Sequence, residues 1–270
     1  MVITFIGGGN MATALISGLV QSGQAAPAIT VADPNEGARK RLQSDYGVTV
    51  CAETSGTVNG ADIIVLAVKP QVMPSVLQAL SGRIEPHQLI LSVAAGITMD
   101  RIANSLGTAQ AIIRCMPNTP ALIRQGITGL CANAHCTDHH RQQAERVLRA
   151  AGEIVWIPEE SLMDAVTAIS GSGPAYFFAL TEALADAGIR LGLPGEIART
   201  LATRTCAGAG AMLQNSQASV SELRQQVTSP GGTTQAALES LAAEQFSELV
   251  YRAAAAAQRR GVELSAESTD

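Results

Sequence analysis

The sequence predicts an α/β, Rossmann-type amino-terminal domain over residues 1–158, followed by an all-α carboxyl-terminal dimerisation domain over residues 159–270. Three observations carry this. Short apolar, β-branched runs alternate with helical stretches up to residue 157. A glycine turn follows the first of these runs. After Pro158 the β-branched runs stop, and Ala, Leu, Glu and Gln dominate.

The runs of the first domain fall at 2–6, 29–32, 48–51, 63–68, 89–93, 111–115 and 154–157. Such alternation argues for a parallel sheet wrapped by helices. In the second domain, breaks at GSGP (171–174), GLPG (192–195) and SPGG (229–232) divide helices rich in small residues, with five alanines in a row at 253–257. Helices this small-residued and sparsely charged approach closely, and they predict a homodimer interface rather than a free-standing bundle. The polar tail, 263–270, is expected to fray.

At 270 residues the chain has room for two cores, built from aliphatic side chains because aromatics make up only 3%. A net charge of −5 gives no electrostatic reason to bind nucleic acid or an anionic membrane. A β-like run beginning at Val2 leaves no room for a leader, and no apolar run is long enough to span a bilayer, so a cytoplasmic protein is expected. The five cysteines form no CxxC pair and fit reduced thiols. Cys131, His135, Cys136, His139 and His140 cluster in sequence, but their spacing matches no standard zinc knuckle. Structural or surface roles are expected for them, and no metal.

The segment VITFIGGGNMA, residues 2–12, reads as strand, glycine turn and helix. Gly7, Gly9 and Ala12 fill the three positions of G-x-G-x-x-A, which serve a tight turn, backbone approach to a pyrophosphate and close helix–strand packing. Asp33 ends the second run, where a carboxylate accepts hydrogen bonds from a ribose diol and repels a 2′-phosphate. That favours NADH, yet Arg39, Lys40 and Arg41 follow within reach of a phosphate, so the choice between NADH and NADPH stays open. AVKPQ (67–71) and SVAAG (92–96) end two further runs, at the strand termini where open α/β sheets bind ligands. Lys69, one of two lysines in the chain, is a candidate ribose or amide contact.

Residues 228–234, TSPGGTT, are expected to form an anion pocket. Pro230 ends what precedes it, Gly231 and Gly232 turn the backbone, and the apolar residues that follow begin a helix whose first N–H groups face outward. No charged residue lies between Arg224 and Glu239, so no native carboxylate competes for these donors. GSGP, with Ser170, Ser172 and Pro174, is expected to open a helix over 175–188 and offer a second donor-rich start. No lysine or histidine occurs after His140. Carbonyl reduction needs a group that protonates a developing alkoxide, whereas an imine nitrogen can arrive already protonated. The inventory favours reduction of C=N over C=O. The alternatives are a dehydrogenase for a hydroxy or keto acid, and a nucleotide-sensing protein without turnover.

FIGGGNMA (5–12), LAVKPQ (66–71), SVAAGI (92–97), RCMPNTPA (114–121), SGSGPAY (170–176) and VTSPGGTT (227–234) occur in this order across nearly the whole chain. Together they closely resemble the pyrroline-5-carboxylate reductase family. The resemblance implies NAD(P)H-dependent reduction of (S)-1-pyrroline-5-carboxylate to L-proline, the last step of proline biosynthesis. It implies that Ile6, Gly7, Gly8, Gly9, Asn10 and Met11 hold the pyrophosphate, with Asp33 and Thr54 on the adenosine side. Ala67, Val68, Lys69 and Pro70, with Val93, Ala94 and Ala95, would line the nicotinamide side, and Asn118 would lie close by. The substrate carboxylate would sit on the N–H groups of Gly231, Gly232 and Thr233, helped by Ser229. Catalytic Thr234 would touch the ring nitrogen, with this corner facing the nicotinamide. The resemblance also implies interlocked homodimers, which in many members assemble into rings of dimers. Asp33 stands where many members carry Ser or Asn followed by Arg, and Thr54 where Asn is common.

Overall fold

The structure is a computed structural model and describes residues 1–267. The strands are β1 (Ile3–Ile6), β2 (Ile29–Ala32), β3 (Thr49–Cys51), β4 (Ile63–Leu66), β5 (Leu89–Ser92), β6 (Ala111–Met116), β7 (Gly126–Ala132) and β8 (Gly152–Trp156). The helices threaded among them are α1 (Asn10–Gln21), α2 (Glu36–Tyr46), α3 (Met73–Leu80), α4 (Met99–Leu106) and α5 (Asp138–Leu148). After β8 come α6 (Met163–Val166), a π-helical turn (Thr167–Gly171), α7 (Gly173–Arg190), α8 (Gly195–Asn215), α9 (Val220–Gln226), α10 (Thr233–Ala243) and α11 (Phe246–Glu267).

The strands form one sheet in the order β3-β2-β1-β4-β5-β6-β7-β8. Strands β1 and β4 bury residues toward both faces, which is why they read as unbroken apolar runs. Ile3, Phe5, Ile63 and Val65 pack with Leu15, Ile16 and Val147 of α1 and α5, while Ile6, Ile64 and Leu66 pack with Met73, Leu77 and Ile102 of α3 and α4. The strand order reverses between β1 and β4, so a crevice opens at their carboxyl ends.

Two expectations are corrected here. The sheet is not wholly parallel, because β6 and β7 pair antiparallel. A short 3-10 turn, Thr119–Ile123, joins them in place of the longer crossover that a parallel pair needs. Strand β7 itself was absent from the expected runs. Gly126 and Gly129 dilute its apolar pattern, and both are there for close approach: an added Cβ would lie 2.9 Å from Ala121 Cα and 2.6 Å from Val166 Cγ1, respectively.

The chain divides into two compact units, one of Met1–Ser172 with the chain from Ala256 onward, the other Gly173–Ala255. The expected boundary at 158 falls just past the end of the sheet, since β8 stops at Trp156. In the second unit α7 and α8 come close at a small-residue contact, where a Cβ on Gly188 would sit 3.1 Å from that of Ala198. This unit carries Phe177 and Phe178 at 60% and 64% exposure. The tail expected to fray continues α11 to Glu267, and residues 268–270 lie outside the described part.

Candidate active site

The glycine turn after β1 is built as its residues require. Gly7 has φ +99°, and a Cβ there would meet the Ala67 carbonyl oxygen at 2.5 Å. Gly9 caps α1, has open space where a Cβ would stand, and brings no side-chain cap. No acidic residue lies in the first turn, so the N–H groups and positive dipole end of α1 are left for an outside anion. Ala12 is fully buried against the sheet, as its place in the pattern demands.

Around this turn lies a cavity of about 420 Å³. Ile6, Gly7, Gly9, Asp33, Thr54, Ala67, Val68 and Lys69 line it, so the structure brings these eight expected residues together. Gly8 adjoins it, donating its N–H to Asp33 Oδ2 at 2.6 Å. Asn10 and Met11 open α1, and Pro70 opens the 3-10 turn Pro70–Val72. Val93, Ala94 and Ala95 follow β5, and Val93 N–H donates to the Leu66 carbonyl. Val72, Ser75, Val76 and Ala79, which no motif marks, form a further wall of the cavity. Their spacing of three, four and seven marks one helix face and was legible in the sequence. An open glycine at an uncapped helix start, inside a cavity closed by a carboxylate, fits a dinucleotide.

Asn118 follows β6 and is 8% exposed. Its Nδ2 donates to the Ser170 carbonyl at 3.1 Å, within the π turn, and its Oδ1 accepts the Ile127 N–H at 3.0 Å. Its side chain therefore joins β7 to the π turn. Ser170 lies inside that turn and Ser172 closes it, so α7 opens at Gly173, two residues before the expected start. Arg114 of β6 is buried and pairs with Glu160 at 3.1 Å and Asp164 at 3.5 Å, while Glu160 Oε1 also accepts the Met99 N–H at the start of α4.

At the TSPGGTT corner Gly231 takes φ +71°, so this position needs glycine. Helix α10 begins at Thr233 with Gly232 as its N-cap, no side-chain cap and no acidic residue in the first turn. The expected donor set is changed in two places. Gly232 N–H closes the turn onto the Ser229 carbonyl at 3.0 Å. Gly231 N–H donates to Gln235 Oε1 at 2.7 Å, and Gln235 Nε2 donates in turn to Glu239 Oε1 at 2.7 Å. No carboxylate competes for the corner, but a neutral amide does. The i,i+4 spacings from Gly231 to Gln235 and from Gln235 to Glu239 were the available signal. Gln235 also borders a hollow of about 1190 Å³ shared with Arg224, Thr228, Glu239 and Phe246, which gives its side chain room to turn away.

The Cys/His cluster disperses. Cys131 is buried on β7, and Cys136 Sγ points at the Ile112 carbonyl, its thiol pushed up by burial. His140 and Thr137 form the capping box of α5. Burial holds the His140 pKa down, consistent with a neutral ring whose Nδ1 accepts the Thr137 N–H. His135 precedes that helix and is exposed, as is His139, so the two do not share a helix face.

Residues 160–264 match the family model for pyrroline-5-carboxylate reductase dimerisation, and residues 2–96 match one described as NADP oxidoreductase, coenzyme F420-dependent. The pyrroline-5-carboxylate reductase of Pseudomonas aeruginosa is 46% identical over 97% of this chain and 96% of its own length. The chain belongs to the pyrroline-5-carboxylate reductase family. A family member from Haemophilus influenzae is 40% identical, over 97% of both chains. Among solved pyrroline-5-carboxylate reductases, that from Coxiella burnetii superposes with a TM-score of 0.94 at 40% identity, covering 97% of this chain and 98% of the other. The Plasmodium falciparum enzyme, solved with NADP bound, gives 0.84 at 28% identity with 98% of each chain covered.

Proposed function

We propose that this chain reduces the C=N bond of (S)-1-pyrroline-5-carboxylate to give L-proline, the last step of proline biosynthesis. It is an oxidoreductase of the NAD(P)H-dependent class. The observation that carries the reading is that two helix starts, one at the glycine cleft and one at TSPGGTT, are uncapped, so that each offers backbone donors to an anion.

Residues 1–158 are assigned to the coenzyme and 159–270 to substrate and dimerisation. The dinucleotide, when bound in the cleft lined by Gly7, Gly9, Asp33 and Lys69, supplies the hydride. Thr233 and Thr234 offer first-turn N–H groups to the substrate carboxylate, with Ser229 beside them. Gly231 N–H joins them when Gln235 turns away. Thr234 Oγ is assigned to the ring nitrogen, which it holds in place. The ring nitrogen enters protonated, so hydride addition at carbon completes the amine with no acid from the chain. This agrees with the absence of any Lys or His after His140. Orientation of bound reactants contributes most of the rate, since it is worth roughly 7–11 kcal/mol in well-aligned systems.

The working unit is a homodimer, consistent with the matched dimerisation segment, and a ring of dimers is the further assembly in this reading. Among the described residues no helix is long and apolar enough to cross a membrane, and the reading makes this a cytoplasmic enzyme. The test is a steady-state assay of NADH or NADPH oxidation with pyrroline-5-carboxylate, run against a panel of 3-hydroxyacids in the reverse direction. Turnover confined to the hydroxyacids would replace this reading with that of an alcohol dehydrogenase.

A further inference from the structure

We propose that Asp33 makes this site selective for NADH by holding a fixed carboxylate where the 2′-phosphate of NADPH would have to lie, an inference that rests on the coenzyme site proposed above. Asp33 follows β2 and lines the cleft beside Pro34 and Thr54. Its two oxygens are pinned from opposite sides. Oδ2 accepts the Gly8 N–H at 2.6 Å and Oδ1 accepts the Asn35 N–H at 2.7 Å. A carboxylate has about four acceptor sites, so two remain, which matches the two hydroxyls of a ribose diol. Esterifying one hydroxyl with phosphate removes a donor and sets a second anion against a carboxylate that cannot swing aside.

Of the three basic residues that kept the choice open in the sequence, Arg39 and Lys40 are otherwise engaged. Arg39 Nη1 donates to the backbone carbonyls of Asp33 at 2.7 Å and Pro34 at 2.9 Å, which locks the turn from β2 into α2. Lys40 pairs with Glu36 at 2.7 Å on the exposed face of α2. Arg41 is exposed, and lies more than a turn into α2. Lys69 follows β4, which is separated from β2 by β1, a spacing of roughly 10 Å between strands. Among the described residues, the charge that faces the cleft from the end of β2 is the Asp33 carboxylate, while Arg39 Nη1 is spent on the backbone behind it.

The experiment titrates the full-length protein, without imine substrate, with NADH and with NADPH, following coenzyme fluorescence. NADH is expected to bind at least about tenfold more tightly. Asp33→Ser should narrow the ratio by weakening NADH and strengthening NADPH, and Arg39→Ala should shift both affinities alike. Equal or tighter binding of NADPH to the wild-type protein overturns the proposal, whatever the variants do. So does an Arg39→Ala variant that loses NADPH alone. If neither coenzyme binds the wild-type protein, the coenzyme site itself is wrong and the selectivity falls with it.

Discussion

Thr234 and Gln235 sit side by side at the start of α10 and are expected to act in opposite directions. Thr234→Val removes the hydroxyl assigned to the ring nitrogen and keeps the shape. It should lower kcat about tenfold or more while leaving the dissociation constant for NADH unchanged, because its effect falls on the reacting centre. An unchanged kcat would remove Thr234 from the mechanism. Gln235→Ala frees the Gly231 N–H that its amide now occupies. One net hydrogen bond is worth roughly twofold to tenfold, so KM for pyrroline-5-carboxylate should fall by that factor. A raised KM would mean that Gln235 supports the corner instead of competing for it. That Gly7, Gly9 and Asp33 line one cleft was legible in the sequence, because their placement follows from backbone freedom and position after a strand. The engagement of Gly231 by Gln235 was not, because it depends on one rotamer of a long, neutral side chain.

Among the elements, the outer strands and the π turn hold the account's less predictable features. The parallel strands β1, β4 and β5 announce themselves because burial on both faces leaves unbroken apolar runs. Strand β7 does not, since Gly126 and Gly129 exchange strand propensity for close packing. The π turn has no sequence signal of its own; Asn118 and the buried Arg114 tie the segment around it to β6 and β7. Arg114→Leu strands Glu160 and Asp164 beside a dry strand. Breaking a buried ion pair from one side typically costs roughly 3–5 kcal/mol, and urea unfolding should show a loss of that order. A change within 1 kcal/mol of the wild type, taken as about the worth of an exposed pair, would show the network to be peripheral to stability.

For the whole molecule, the second unit exposes Phe177, Phe178 and Leu191, the last at 86%, more apolar surface than an isolated helical unit keeps. Light scattering at micromolar concentration should give twice the 27.9 kDa mass of one chain, or a multiple of that dimer. A stable species of one chain would contradict the dimerisation reading. The small-residue composition is what predicts such an interface, while the return of the chain to the first unit at Ala256 lay beyond sequence reading, because the five alanines there favour helix without naming a partner. The central claim is that TSPGGTT receives the substrate carboxylate, and a crystal structure with a bound dinucleotide and L-proline tests it most directly. The expected result is the proline carboxylate about 3 Å from the Thr233 and Thr234 N–H groups, with Thr234 Oγ at the ring nitrogen. Proline bound with its carboxylate away from residues 228–234 would contradict it.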